Sequence, residues 1–204
     1  MFMQAPEDYS FNYIISSFLR SLRYVCLILS VVVPAFYVSV MSFHHEMIPT
    51  KLLMAIIRSK TDVPFSSFLE TLFLLIAFEI LIESSMRLPK VIGQTASIVG
   101  GLIVGQAAVE AKLVSPSTVI IIAICMISAF VSPSKDLSNS FRIYRIIIFI
   151  LAGLTGLFGL SVGCILLLYH LCSLKSFGIP YMVPFSSNEG HSLLKDTIIR
   201  PKER

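Results

Sequence analysis

Three long stretches of apolar residues without a charged side chain dominate the pattern of the chain. They run from Tyr24 to Phe43 (20 residues), from Leu113 to Ser134 (22 residues) and from Ile146 to Leu174 (29 residues, with its histidine taken as neutral). A helix of ~20 apolar residues matches the ~30 Å hydrocarbon core of a bilayer. The pattern therefore predicts three membrane-spanning helices. The first run exceeds the ~7–15 residues of a signal-peptide core, and no A-x-A-like site follows it, so we expect it to be retained.

A fourth charge-free segment, from Val91 to Val109, contains two glutamines and four glycines. It predicts a helix, at about 91–110, that packs against other protein rather than against lipid. Glycines spaced four residues apart let membrane helices approach closely. This spacing occurs at Gly101 and Gly105 and again at Gly159 and Gly163. We expect both pairs to pack helices tightly within the chain, with an oligomer face or a pore-lining face as the alternative.

The segment from Pro64 to Glu83 predicts a further helix, at about 64–86, because its apolar residues repeat at helical spacing. Its uninterrupted apolar core is too short to span a bilayer alone. Arg87 follows Glu83 at i+4, which is a favourable pairing. The helix is either amphipathic and interfacial, or re-entrant, or buried in a bundle with its carboxylates facing water. Spacing does not decide among these.

Composition supports the same class of protein. The 204 residues are 55% hydrophobic and 14% charged, against about 25% charged in average soluble domains, and the mean hydropathy is +0.84. We predict an all-α integral membrane protein: a multi-span helical bundle with a Gly-rich packed helix and an amphipathic or re-entrant helix. The expected divisions are an N-terminal interfacial segment at 1–23, a helical membrane domain at 24–174 and a C-terminal polar tail at 175–204. The net charge of +4 is spread over the tail and loops, among them a predicted charged loop at 135–145 with Arg142 and Arg145, which argues against a nucleic-acid partner.

Sequence motifs for catalysis, cofactors or metals are missing. The chain has no GxSxG, no Walker A motif and no CxxC pair, and its four cysteines all lie in apolar runs. His44-His45-Glu46 lacks the histidine spacing of HExxH. We therefore expect no enzymatic activity, no catalytic residue, no cofactor and no bound metal. The cysteines are expected to act as small hydrophobic residues facing neighbouring helices.

Three carboxylates, Glu70, Glu79 and Glu110, occupy costly positions for a membrane protein. A charge at bilayer depth costs at least ~2.5–3.5 kcal/mol, so such side chains usually face a bundle interior or water. They are therefore candidates to border an ion path. Glu79 is the first choice, because its neighbours are apolar and no basic residue lies at i+3 or i+4. The alternative is a half-submerged helix whose carboxylates reach the headgroups, or local pairs such as Glu110 with Lys112.

Five sequence motifs follow one another along the chain. They are PEDY at 6–9, SFLRSLR at 17–23, PAFYVSVMSFHHEMIPT at 34–50, RLPK at 87–90 with IGQTASIVGGLIVGQAAVEAKLVSP at 92–116, and HLCSLKSFGIPYMVP at 170–184. Together they closely resemble the membrane region of the GerA family, the A subunits of spore germination receptors. The resemblance covers essentially the whole chain, in the right order.

The resemblance carries its own expectations. It implies a protein of the inner membrane of the bacterial spore that works with a transporter-like B subunit, which senses the nutrient, and with a C subunit that is a lipoprotein. It also implies a homo-oligomer that relays germinant sensing to ion release. One form of this expectation is that the A subunit is itself part of the ion channel. Neither the nutrient nor the ion follows from the sequence.

Two departures from the family pattern stand out. Family subunits usually begin with a large soluble cytoplasmic domain and an earlier membrane segment, whereas this chain opens almost at PEDY. The expectation is a separately encoded or truncated C-terminal half, or a fragment. IESSM at 82–86 stands where members commonly read like LREAG, so a basic residue ahead of Glu83 is missing. The competing hypotheses are half of a secondary transporter, which broken helices near Pro89 and Gly93 would fit, and a membrane scaffold remnant that does not signal.

Overall fold

The computed structural model describes residues 12–87, 89–131, 135–176 and 179–180. These residues form seven α-helices and one short antiparallel ladder. The helices are α1 (Tyr13–Phe43), α2 (Thr50–Lys60), α3 (Ser67–Arg87), α4 (Lys90–Glu110), α5 (Pro116–Phe130), α6 (Lys135–Thr155) and α7 (Leu157–Ser173), with a 3-10 turn at His45–Met47. The ladder pairs β1 (Lys175–Ser176) with β2 (Ile179–Pro180). The predicted helices at about 64–86 and 91–110 are confirmed as α3 and α4.

Helix α1 begins at Tyr13, eleven residues before the predicted span, and runs through the boundary expected at residue 23. Ser16 and Arg20 are buried in this first part, so it packs against the bundle. In the described part of the chain, α1 is the helix long and apolar enough to cross a bilayer. Shorter apolar helices are found at Val99–Glu110, Pro116–Phe130 and Leu157–Ser173. The rest of the predicted N-terminal segment, residues 1–11, lies outside the described residues.

Pro34 lies inside α1 and has no N–H with which to bond the carbonyl of Ser30, four residues earlier. That carbonyl accepts a hydrogen bond from the Cys125 thiol of α5 instead, at 3.0 Å. Because a buried carbonyl without a partner is costly, Cys125 does more here than fill space. The structure thus corrects the view of this cysteine as a small hydrophobic residue alone.

The connection from α4 to α5 is a tight turn. Lys112 has a φ of 55°, a conformation that closes helix C-termini and more often takes glycine. The N–H of Leu113 returns to the carbonyl of Ala108 at 3.0 Å. Ser115 then caps α5 by accepting from the Thr118 N–H, with Pro116 in the first turn. As a result α5 has 15 residues, fewer than the 22 of the predicted span.

The predicted span from Ile146 to Leu174 is wrong as one helix. The chain reverses at Gly156, whose φ is 68°, a conformation that favours glycine because it has no Cβ. Helix α7 then runs back along α6: Tyr144 contacts His170 at 5.7 Å between ring centroids, and a Cβ at Gly163 would lie 2.9 Å from Ile148. The segment 135–145, expected to be a charged loop, is the first half of α6.

The buried apolar side chains form two clusters. The larger joins α1, α3, α4, α5 and α6, with Leu74, Ile122 and Phe149 fully buried. The smaller joins α1 to α6 around Ala35 and Ile148, with partly buried residues of α7 against it. Helix α3 also packs on α4, and α1 on both α5 and α6. Of the alternatives left open for the helix predicted at 64–86, packing in the bundle is the one observed. The predicted polar tail lies outside the described residues from 181 onward.

Candidate functional site: a charged groove between α3 and α6

A groove of about 810 Å³ separates α3 from α6. The two helices run antiparallel, since Phe68 stacks on Phe149 at one end, with ring centroids 5.0 Å apart, and Glu79 binds Arg142 further along. The groove is apolar toward the aromatic end and charged toward the other. Its apolar lining residues are Leu72, Leu75, Ile76, Ile80, Ile146, Phe149 and Ile150, and its charged ones are Glu79, Glu83, Arg87, Arg142 and Arg145.

Glu79 is bound by arginines of the facing helix. The Nε of Arg142 donates to its Oε1, and an NH1 of Arg145 lies 4.0 Å from its Oε2. Arg142 is 13% exposed and is held further by Asn139, whose Oδ1 accepts from it at 3.1 Å. Glu79 thus has no basic neighbour on its own helix but has two across the groove.

Glu83 extends this cluster toward the surface. Its Oε1 accepts from Arg87 at 3.1 Å, as the i+4 spacing predicts, and its Oε2 lies 3.8 Å from Arg142. Arg87 is 79% exposed, so this end of the groove is accessible. The ion pair of Glu83 with Arg87 is therefore exposed, whereas that of Glu79 with Arg142 is largely buried.

Arg145 is the most deeply placed cation of the cluster, at 2% exposure. Its NH1 contacts the thioether sulfur of Met126 at 3.4 Å, which is a weak acceptor. Its Nε has no hydrogen-bond partner among the described residues. A buried guanidinium with so few acceptors is costly, and the nearby Glu79 carboxylate is what lowers that cost.

Glu70 is itself fully buried and belongs to a different network. The Lys60 ammonium lies 2.7 Å from its Oε1, while its Oε2 accepts from the Ser115 N–H at 3.0 Å and from the Thr118 hydroxyl at 3.1 Å. Thr118 in turn shares a hydrogen bond of 3.0 Å with the Tyr37 hydroxyl. The carboxylate sits at the N-terminus of α5, where the helix dipole favours a negative charge. The network as a whole therefore joins helices α1, α2, α3 and α5.

Glu110 is exposed at the C-terminal end of α4. Lys112, considered above as its partner, instead lies 2.7 Å from Asp62 and donates a hydrogen bond to it. That hydrogen bond, together with the positive charge, lowers the pKa of the Asp62 carboxyl. The suggested Glu110–Lys112 pair is thus replaced by a contact between two loops.

The three candidate carboxylates do not gather at one point. Glu70 and Glu79 are nine residues apart on α3, which separates them by ~13 Å along the axis and places them on opposite faces. Glu70 faces α5 and Glu79 faces α6. Glu110 lies at the end of a third helix. Of the three, Glu79 lines the groove.

Of the four glycines named from the sequence, three lie at close approaches within the chain, and Gly105 makes an ordinary contact. A Cβ at Gly101 would come within 3.1 Å of Phe78 on α3, and one at Gly105 within 3.5 Å of Val119 on α5. At Gly159 it would collide with the carbonyl of Leu151, and at Gly163 it would press on α6. These contacts are within the chain. Ser97, which extends the α4 glycine face in the sequence, has a side chain outside the described set.

Several residues of these sites were not found from the sequence. Arg142 and Arg145 were assigned to a loop, and Lys60 belongs to α2, which was not predicted. A signal for the first two existed: Phe141, Arg145, Ile148 and Ala152 repeat at helical spacing, and all four are buried. Within the described residues, no group of three or more histidine, cysteine or acidic side chains is placed to hold a metal ion.

The fold and the site together define a helical-bundle protein whose ionisable side chains are paired between apolar helices. Comparison with known proteins assigns the family. The family described as Bacillus/Clostridium GerA spore germination protein matches residues 1–203. The chain therefore belongs to the GerA family, as its motifs suggested.

Its relatives include spore germination protein KA of Bacillus subtilis (strain 168), 44% identical over 201 residues that cover 98% of this chain and 36% of the relative. The uncharacterized membrane protein YfkQ of the same strain is 42% identical over 201 residues, covering 97% of this chain and 38% of the relative. Spore germination protein GerQA of Bacillus cereus is 41% identical over 199 residues, covering 98% and 40%. The chain thus spans less than half the length of each. No solved structure matches it.

Proposed function

We propose that this chain is the membrane part of a germinant-receptor A subunit that relays nutrient sensing to ion release in bacterial spores. The observation that carries the proposal is the family match over residues 1–203, with relatives named spore germination proteins at 38–44% identity. In this role the protein is a signalling component and not an enzyme. Its partners are a transporter-like B subunit, a lipoprotein C subunit and further copies of itself.

We further propose that the bundle is an integral, multi-span domain of the inner spore membrane. The long apolar helix α1 supports this. So do large apolar side chains that stay exposed on the shorter helices, such as Ile127 of α5 and Phe158 of α7. Exposed apolar surface of this kind is favourable in lipid and unfavourable in water. The name of the relative YfkQ, a membrane protein, points the same way.

Glu70, Glu79 and Glu110 remain our candidates to border an ion path, and the contacts rank them. Glu70 is already engaged by Lys60, Ser115 and Thr118, whereas Glu79 borders an open groove. We propose that Arg142 neutralises Glu79 at rest and that separation of this pair during signalling exposes the carboxylate to a cation. Carboxylates are a common means of favouring cations in channels.

The test compares two substitutions one helical turn apart in the complete receptor subunit of the spore. Glu79→Gln removes the charge that Arg142 binds, while Glu83→Gln is the matched control, because Glu83 is half exposed and pairs mainly with Arg87. Spores receive a mixture of amino acids, sugars and nucleosides, and cations in the medium are measured together with the level of the subunit.

We expect Glu79→Gln to alter cation release strongly at a normal protein level and Glu83→Gln to leave it near wild type. Equal release from both variants at equal protein levels would remove Glu79 from the ion path. Deleting the segment that encodes this chain tests the broader proposal. Spores that then respond normally to every nutrient would contradict a receptor role. Nutrient uptake by the chain without spore partners would favour the transporter hypothesis instead.

A further inference from the structure

We propose that the groove between α3 and α6 binds an anionic phospholipid, with an acyl chain along its apolar walls and the phosphate at its basic mouth. The inference rests on the proposed membrane location, but it does not depend on the role in ion release.

The shape of the groove fits one acyl chain entering from one side of the membrane. The stack of Phe68 on Phe149 marks its apolar end, and exposed Arg87 marks the other. Between Ile80 and Leu72 the α3 wall is apolar apart from Glu79 over about 12 Å, at ~1.5 Å per helical residue. One leaflet contributes half of the ~30 Å hydrocarbon core, so the apolar wall and an acyl layer are of similar depth.

The charges at the mouth favour an anion. Three guanidinium groups line the groove against two carboxylates, which leaves an excess of one positive charge among the described residues. A guanidinium has five N–H donors. In the described contacts Arg87 gives one hydrogen bond, to Glu83, and Arg142 gives two, to Glu79 and Asn139. Donors therefore remain for a phosphate, which arginine often binds through two parallel hydrogen bonds.

Arg145 provides an independent reason to expect a negative group here. It lines the groove at 2% exposure, and its Nε has no partner among the described residues. Glu79 balances only part of the positive charge, because it is shared with Arg142. A phosphate between Arg87 and Arg142 would supply negative charge close to Arg142 and Arg145, which are 13% and 2% exposed and whose charges water therefore screens weakly. A helix from a second copy would fill the apolar wall but would leave this excess charge uncompensated.

The absence of tryptophan from the chain allows a direct test, because one introduced tryptophan reports on its own surroundings. Ile76→Trp places the probe on the half-exposed α3 wall of the groove. Phe158→Trp is the control, at a 72% exposed position on α7. Each variant of the 204-residue chain is inserted into phosphatidylcholine vesicles containing a minor fraction of phosphatidylglycerol. Bromine, which quenches tryptophan, is carried on the acyl chains of either lipid in turn.

We expect brominated phosphatidylglycerol to quench the groove tryptophan severalfold more than the α7 tryptophan, and brominated phosphatidylcholine to show no such difference. Adding Arg87→Gln should reduce the preference, while Arg58→Gln, an exposed arginine on α2, should leave it unchanged. Equal quenching by the two lipids overturns the proposal. So does protection of the groove tryptophan from both lipids, which would mean that a protein segment fills the groove. Chain that alkaline extraction removes from the vesicles would instead overturn the membrane location itself.

Discussion

Replacing Glu70 tests whether the buried network at the N-terminus of α5 holds the bundle together. Its carboxylate has no exposed surface, faces the Lys60 ammonium at 2.7 Å and accepts hydrogen bonds from Ser115 and Thr118. Glu70→Gln removes the charge but keeps one carbonyl oxygen for the Ser115 N–H. Glu70→Ala removes every acceptor and leaves a cavity. The two variants therefore separate the ion pair from the hydrogen bonds.

The expected magnitudes follow from these contacts. A hydrogen bond to a charged group contributes about 1.5–3 kcal/mol, and Lys60 is 20% exposed, so its ammonium can turn toward solvent after the change. We expect Glu70→Gln to lower the free energy of unfolding by about 1.5–3 kcal/mol. Removing one partner of a buried pair costs about 3–5 kcal/mol. We expect a loss in this range for Glu70→Ala, because Ser115 and Thr118 lose this acceptor and Lys60 keeps only the Ser67 hydroxyl.

The measurement is unfolding of the 204-residue chain in mild detergent by added dodecyl sulfate, followed by the helical circular dichroism signal. Glu83→Gln is the matched control, since its half-exposed pair with Arg87 should contribute about 0.3–0.5 kcal/mol. In a double-mutant cycle, Lys60→Met and Glu70→Gln should be coupled rather than additive. If Glu70→Ala costs no more than Glu83→Gln, the network does not stabilise the bundle and the reasoning is refuted.

Four further predictions concern other parts of the fold and use the same unfolding assay. Gly156→Ala should lower the free energy of unfolding by about 1–2 kcal/mol, because the residue has a positive φ. Gly105→Ala should be tolerated, since a Cβ there would lie 3.5 Å from the nearest atom. Equal effects of the two substitutions would contradict the reversal of the chain at Gly156. Gly101→Leu should lower the free energy of unfolding by about 1–3 kcal/mol, because the larger side chain overpacks the contact with Phe78. It should also lower receptor assembly while the chain still inserts into the membrane. Unchanged assembly, measured by crosslinking, would count against this prediction. Lys112→Gly should keep or raise the stability, because glycine adopts a φ of 55° without strain and the lost ion pair with Asp62 is exposed. A clear loss of stability would mean that the ion pair contributes more than the strain costs. Cys125→Val should lower the free energy of unfolding by about 1–3 kcal/mol, because the Ser30 carbonyl loses its hydrogen-bond donor. Cys125→Ser should lose less, since its hydroxyl can still donate. Equal stabilities of the two variants would show that the thiol contributes only by packing.

Local sequence patterns predicted those helices whose ends depend on residues close by in the chain. The apolar spacing after Pro64 predicted α3, and the charge-free segment before Glu110 predicted α4. The pairing of Glu83 with Arg87 was also predictable, since it needs only one turn of helix. Helix α2 was not predicted, because its apolar run, residues 52–57, has only six residues between basic ones, and so short a run does not distinguish a helix from a strand.

Hydropathy failed where the limit of a helix depends on packing. Ile146 to Leu174 is one continuous charge-free run, but Gly156 has a positive φ and the chain reverses there. A glycine is compatible with both a straight helix and a turn, so the choice falls to the contacts that follow, such as Gly163 against Ile148. Arg145 was misplaced for the related reason that a buried arginine is rare unless a partner is provided from elsewhere in the fold.

The sequence by itself determined that this is an apolar, helical chain of the GerA family, because composition, periodicity and motifs are properties of residues close together in the chain. It also singled out Glu70 and Glu79 as unusual acids. The tertiary structure alone decided what they contact: Glu70 meets Lys60 and the N-terminus of α5, and Glu79 meets Arg142 from 63 residues away. Side chains on one helix cannot specify which helix will face them, because that depends on how turns such as the one at Gly156 fold the chain back. The groove between α3 and α6 exists only once that packing is formed.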